Sequence, residues 1–356
     1  NHIMKRMTHY EEEVRISKFR MKEWAIDYEL LFSEMDKEYD ESLDFFDGTV
    51  NAIENKIVEN VHSSVRYTRA FSKLFADRNN SIIKDIFNQY SMNILKWLKN
   101  LGTDESQIES NLFAWVDEFY KRIYCMYMFH RSNKKVYKFD SHFLESMDNL
   151  KDTWKNEVFY NVRPPHPTMY IPLPKQASID ISENVINGFY VNYIPFKKGS
   201  DLDFTKDRTG CYNIMLTTPV TNNKDIRHSS ESGIIAALRF DVQDGESIKD
   251  AFAQNIDGKS EGLKLTDDIF HRCFGILFKL LLYISSQNGT IKEVRPFVRN
   301  YTDRDVRRRI NKLKTSLPYS LIGSDIIINK RKLLHKKVNN ECTGPIRWKI
   351  MRHLCR

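Results

Sequence analysis

Between Glu11 and Arg131 the chain has no proline, and none of its five cysteines (Cys125, Cys211, Cys273, Cys342 and Cys355) stands in a CxxC pair. The first absence leaves that stretch free to run as helices. The second leaves a disulfide framework and the usual zinc-finger spacing without support, and it points to a reducing cytoplasm. The longest apolar run, Cys273 to Ile284, is interrupted by Lys279 and is too short to span a bilayer, while Asn1-His2-Ile3-Met4 lacks the apolar core of a signal peptide. No membrane partner is expected. Also missing are GxxxxGK before Ser or Thr, GxGxxG, GxSxG and HExxH, and with them the usual signatures of a P-loop, a dinucleotide site, a hydrolase elbow and a metalloprotease.

What is present is a lopsided charge. The 62 positions from Arg295 to Arg356 hold seventeen Lys and Arg against four acids (Asp303, Asp305, Asp325 and Glu341), a net of +13 in a chain whose formal charge is +8, so the rest is near −5. An acidic body joined to a basic end points to a polyanionic partner, most simply nucleic acid or a ribonucleoprotein. With 41% hydrophobic and 12% aromatic residues the chain has apolar surface enough for one large domain or two. Because it opens on Asn1 and stops at Arg356 inside a basic run, its natural ends are expected to lie elsewhere.

Apolar residues recur at helical spacing in the first third (Phe19, Trp24, Ile26, Leu30, Leu31, then Leu112, Trp115, Val116, Phe119). Breaks are expected at Asp47-Gly48, at Asp77-Arg78-Asn79-Asn80 and at Gly102-Thr103-Asp104, where Thr103 or Asp104 N-caps the next helix. Arg163-Pro164-Pro165-His166-Pro167 cannot be helical and marks a boundary. Strands are expected over Met169–Leu173, Ala177–Ile181, Gly188–Phe196, Cys211–Thr217 and Ile234–Phe240, with turns at Gly199-Ser200 and Asp244-Gly245. Consecutive strands without helices between them make an antiparallel sheet. A short helix follows over Ser247–Ala253 and a longer one over Thr266–Ser285, N-capped by Thr266, with Phe270, Phe274, Leu277, Leu281 and Ile284 on one stripe to cover the sheet. The expected fold class is α+β: a mostly helical region over 1–160, an α+β core over 161–294 and a basic region over 295–356.

Candidate chemistry concentrates in the basic region. Arg304, Arg307, Arg308, Arg309, Lys312 and Lys314 form one stretch; after an apolar interval at Leu317–Ile328 come Lys330, Arg331, Lys332, Lys336 and Lys337, and further on Arg347, Arg352 and Arg356. On a helix, Arg304, Arg307, Arg308 and Lys312 line one face and neutralise phosphates, with Tyr319 or Trp348 to stack on unpaired bases. A solubilising surface or a dock for an acidic protein explains the same run of charge. Asp267 and His271, four apart on a helix, offer two metal ligands, and Asp201 and Asp203 with nearby Asp207 offer acidic ones, but a helix-start acid with a helix-face histidine and a solvated turn account for them as well. Cys342, His353 and Cys355 have ligand chemistry without zinc spacing. No metal and no cofactor is expected.

An ordered set of short segments carries a resemblance: Val136-Tyr137-Lys138-Phe139-Asp140, Tyr170-Ile171-Pro172-Leu173-Pro174 leading to Ser178-Ile179-Asp180-Ile181, Gly188-Phe189-Tyr190-Val191-Asn192-Tyr193, Gly245-Glu246-Ser247-Ile248, Leu280 to Asn288, and Ile322-Gly323. Spanning about 190 residues, the set resembles the second described family of type V-A anti-CRISPR proteins of phages and mobile elements. That family's histidine- and arginine-rich end is matched here only by Arg352-His353-Leu354-Cys355-Arg356. The resemblance implies a binding protein without known catalytic residues that blocks production of the effector nuclease, recognising its nascent polypeptide or ribonucleoprotein and promoting loss of its messenger RNA, so RNA is an expected partner. The competing expectations are a metal-dependent nuclease or toxin using Asp201, Asp203, Asp267 and His271, and a phage structural protein whose basic end holds nucleic acid.

Overall fold

A computed structural model describes residues 7–18, 25–38, 80–139, 143, 152–174, 179–181, 184–195, 209–219, 234–256, 267–286, 291–296, 302, 304 and 314–323. The amino-terminal layer contains α1 (His9–Ser17), α2 (Tyr28–Glu38), α3 (Ser81–Asn100) and α4 (Glu105–Arg131). Thr8 opens α1 with a capping box: its hydroxyl accepts from the Glu11 backbone N–H at 3.3 Å, and Glu11 Oε2 accepts from the Thr8 backbone N–H at 2.9 Å. Asn80 caps α3 by accepting from Ile82 and Ile83, and Asp104 caps α4 by accepting from Ser106. Both caps fall on expected breaks, with Asp104 rather than Thr103 in the role. Between the helices the chain turns through Gly102, whose φ of 71° an L side chain resists. Tyr90 of α3 stacks on Phe119 of α4 with ring centroids 3.9 Å apart. Ile26 and Leu31 are buried as their spacing predicts, whereas Leu30 faces solvent. Phe19, Trp24 and the Asp47-Gly48 break lie outside the described residues.

The central sheet contains β2 (Thr168–Pro172), β5 (Gly188–Pro195), β6 (Gly210–Thr217) and β7 (Ile234–Val242), all neighbours antiparallel in that order. The α+β class and the antiparallel sheet are therefore as expected. A small hairpin, β3 (Ile179–Ile181) with β4 (Asn184–Ile186), fills the connection from β2 to β5 and sends Ile179 and Ile186 into the core. Alternation along the strands divides the sheet into two apolar faces. Met169, Ile171, Phe189, Val191, Ile214 and Leu216 pack under α5 (Ile248–Ile256) and α6 (Asp267–Ser285), where Phe274, Leu277 and Leu281 are fully buried. Ile284 is half-buried at the end of that stripe; the Phe270 side chain and the Thr266 cap lie outside the described ones. Ser247 caps α5, its hydroxyl accepting from the Asp250 N–H at 3.1 Å.

The opposite face, carrying Tyr170, Tyr190 and Met215, belongs to the core of the amino-terminal layer. Phe129 of α4 meets Tyr190 and Tyr170 edge-on at 5.5 and 6.2 Å. The sheet is covered on both sides.

A second sheet was not anticipated. β1 (Tyr137–Phe139) runs parallel to β9 (Tyr319–Ile322), and β9 runs antiparallel to β8 (Ile291–Val294). A parallel bridge between Val136 and Tyr170, with Tyr170 N–H donating to the Lys135 carbonyl at 2.9 Å, joins this sheet edge to edge with the central one. Strand β9 lies within the region read from sequence as basic, and Ile322 is fully buried in the main core.

Candidate functional site

Between the amino-terminal layer and the sheet lies a polar seam built around α1. Thr8, His9, Glu11, Glu12, Glu13 and Ser17 are all buried. Charged groups are removed from water at a cost of several kcal/mol unless partners replace their hydration, and the seam supplies them. Glu11 Oε1 accepts from the Ser316 backbone N–H at 2.6 Å and from the Ser316 hydroxyl at 2.7 Å, while Oε2 accepts from the Thr315 hydroxyl at 2.8 Å as well as from Thr8. Glu13 accepts from the Tyr28 hydroxyl at 3.3 Å and faces the buried Arg122 guanidinium at 3.8 Å. Burial opposes the Arg122 charge, yet Tyr28, Glu13 and Tyr90 around it raise its pKa overall.

The seam continues through tyrosines of the sheet. His9 Nδ1 lies 2.9 Å from the Tyr190 hydroxyl, and the Tyr190 ring stands 4.8 Å from that of Tyr170. The Thr217 hydroxyl donates to Asn187 Oδ1 at 3.0 Å, so the Tyr170 hydroxyl, 3.0 Å from Thr217 Oγ1, is the donor in that pair. Burial pushes both phenols up, well clear of physiological pH. On β1, Lys138 is buried with its ammonium 4.1 Å above the Tyr319 ring. Burial pulls its pKa down to about 8, and the Glu11 carboxylate pulls in the other direction. This chemistry locks elements together: Glu11 and Glu13 serve as acceptors, and the tyrosines remain neutral.

Arg304 is exposed, as is Lys314 just before the seam. Arg307, Arg308, Arg309, Lys312, Lys330, Arg331, Lys332, Lys336, Lys337, Arg347, Arg352 and Arg356 lie outside the described residues, as does Trp348. Tyr319, read as a stacking platform, is half-buried with one ring face taken by Lys138. Asp201 and Asp203 lie outside the described residues, and so does the side chain of Asp267. His271 is half-buried, its ring stacked on Phe252 at 4.8 Å and 13°. Among the described residues no group of three or more His, Cys, Asp or Glu gathers to hold a metal, and no helix is long and apolar enough to cross a membrane. The sequence reading missed the seam. Its local signal was the Thr8-x-x-Glu11 capping box, which fixes a helix start but says nothing of burial.

A family model described as AcrVA2-like, the anti-CRISPR type V subtype A2 family, matches residues 137–322, which is 186 of the 356 residues. No curated protein and no solved structure matched. The matched segment begins on β1 and ends on β9, so the two strands at its limits are paired with each other.

Proposed function

The chain belongs to the anti-CRISPR type V subtype A2 family, and we propose that it disarms a type V-A system by stopping production of the effector nuclease, recognising the nascent effector polypeptide and promoting loss of its messenger RNA. The observation that carries this reading is the family match, which runs from the first strand of the edge sheet to the last and takes in the whole central sheet with the two helices, α5 and α6, that cover one of its faces.

In this reading the α+β core recognises protein. The basic region contacts RNA through Arg304, Arg307, Arg308, Arg309 and Lys312, with Lys330, Arg331, Lys332, Lys336, Lys337, Arg347, Arg352 and Arg356 extending the contact. The net of +13 in the last 62 residues, against a body near −5, supports that division of labour. The protein acts in the bacterial cytoplasm, where effector translation takes place, and it needs no metal or cofactor.

Expression beside a type V-A effector should lower both the effector and its transcript. Replacing Arg307, Arg308, Arg309 and Lys312 with Ala should weaken RNA binding and flatten its salt dependence by roughly one unit per lost phosphate contact. Unchanged effector and transcript levels would overturn the proposal. Purified protein supplied with magnesium, manganese or zinc should leave RNA and DNA intact; cleavage lost on Asp201→Ala/Asp203→Ala or Asp267→Ala/His271→Ala would establish a nuclease instead. Nucleic-acid binding with neither effect would favour a phage structural protein.

A further inference from the structure

Phe159 and Tyr160 are neighbours in the chain and opposite in environment. Phe159 is buried against the rings of Tyr212, Phe240 and Phe278, while Tyr160 is 67% exposed, more than any other large apolar side chain among the described residues. The short turn that carries both is tied to the body on either side. The Phe159 and Tyr160 N–H groups donate to the Glu246 and Asp244 carbonyls at 3.1 and 3.0 Å, and the Ile248 N–H donates to the Glu157 carbonyl at 2.9 Å. The Val162 carbonyl accepts from the Tyr212 hydroxyl at 2.7 Å. Prolines at 164, 165 and 167 then stiffen the chain that follows. The Tyr160 ring therefore projects into water from a rigid base, and covering it costs little ordering entropy.

Arg163 leans on this ring, its guanidinium carbon 5.5 Å from the centroid, and donates to Asp244 Oδ2 at 2.8 Å. Asp244 Oδ1 accepts in turn from the Thr209 hydroxyl at 3.2 Å. Donors and an acceptor thus stand side by side at the surface, a pattern that suits peptide groups, which carry one of each, better than phosphates, which only accept. The local charge points the same way. Segments 157–163 and 241–250 carry five acids, none of them buried, against Arg163 and Lys249. Such a surface repels a phosphate chain and attracts a cationic side chain, and the face of a tyrosine ring takes the same kind of group.

We infer that Tyr160, braced by Arg163, anchors a docking surface on the core for a short polypeptide segment that carries lysine or arginine. The inference rests on the reading that the α+β core recognises the nascent effector polypeptide, and it puts that recognition at the turn leading into β2.

The test uses the full-length protein and overlapping peptides that together cover the effector sequence. Peptides that bind should carry Lys or Arg, and binding should weaken as salt rises. Tyr160→Ala should weaken binding about tenfold or more, the loss expected of an interface anchor, with the thermal midpoint unchanged because the side chain is exposed. Tyr160→Phe, which keeps the ring, should bind like the parent, and Arg163→Ala should fall between. Met92→Ala, which removes a comparably exposed apolar side chain from α3, should change nothing. Full-strength peptide binding by Tyr160→Ala would overturn the inference, as would a preference for peptides without Lys or Arg. A Tyr160→Ala loss confined to single-stranded oligouridylate would give the site to RNA and overturn it too. In cells the inference separates from the reading beneath it: a parent protein that leaves effector levels unchanged sinks both, whereas equal lowering by parent and Tyr160→Ala keeps the function and removes Tyr160 from it.

Discussion

The hydroxyl of Tyr170 stands where a β-carbon on Gly188 would fall. Gly188 opens β5 opposite Pro172, and the absence of a side chain there gives the phenol its place beside Thr217. A strand glycine that lets another group approach closely is common where a sheet face is crowded; here the crowding comes from paired tyrosines.

Gly188→Ala should therefore overpack the seam and destabilise the protein by about 1–3 kcal/mol in urea unfolding. Adding Tyr170→Phe removes the nearest atom and should recover part of the loss. An alanine tolerated without cost would place the phenol elsewhere.

Arg122→Met should cost about 3–5 kcal/mol, because it leaves the Glu13 carboxylate buried beside Tyr28 without its cation. The double variant Glu13→Gln/Arg122→Met should lose less than Arg122→Met alone. Equal losses would mean that Arg122 contributes packing only.

Lys138 gives a pH signature. Its pKa is about 8 in the folded state against 10.5 for a free lysine, so the unfolded chain binds the extra proton between those values. The penalty for burying the charge is complete below about pH 8 and disappears as pH rises to 10.5. Lys138→Met should be more stable than the parent below pH 8, by at most ~3 kcal/mol, a difference that already contains the Glu11 attraction and that the Tyr319 contact reduces. The advantage should vanish above pH 10.5, and a stability gap that does not change with pH would show that Lys138 is not desolvated.

Leu281→Ala removes a fully buried side chain from α6 and should cost about 2–5 kcal/mol, seen in both thermal and denaturant unfolding. Unchanged stability with lost partner binding would instead put that face of α6 in an interface.

Strands β5, β6 and β7 were legible because each follows its neighbour directly, so local alternation and turn residues determine both existence and pairing, whereas β2 reaches β5 across the β3–β4 hairpin. The α3 and α4 starts were legible for the same reason, since Asn80 and Asp104 act on backbone groups two or three residues away. Strands β1 and β9 were not: three or four residues carry no readable period, and the partner of Tyr137 is Ser320. The segment His9-Tyr10-Glu11-Glu12-Glu13 reads as a solvated helix because burial of its acids depends on Thr315, Ser316 and Arg122, none of them local. His271 had the right spacing for a ligand pair, but local spacing could not reveal that its ring would lie on Phe252. The basic stretch was legible as charge, and only Arg304 of the arginines and lysines assigned to RNA falls among the described residues.

The parallel pairing of β1 with β9 has a consequence for synthesis. Tyr137 emerges from the ribosome 183 residues before its partner Ser320, and Glu11 waits longer still for Ser316. The helical hairpin and the β2–β7 meander contain their own neighbours and can form while translation continues, whereas long-range pairings come late and slowly. Both the edge sheet and the α1 contacts of Glu11 therefore close only once Thr315 to Ile322 have been made, and until then the newborn protein carries an unpaired β1 edge and a Glu11 held only by the cap of its own helix.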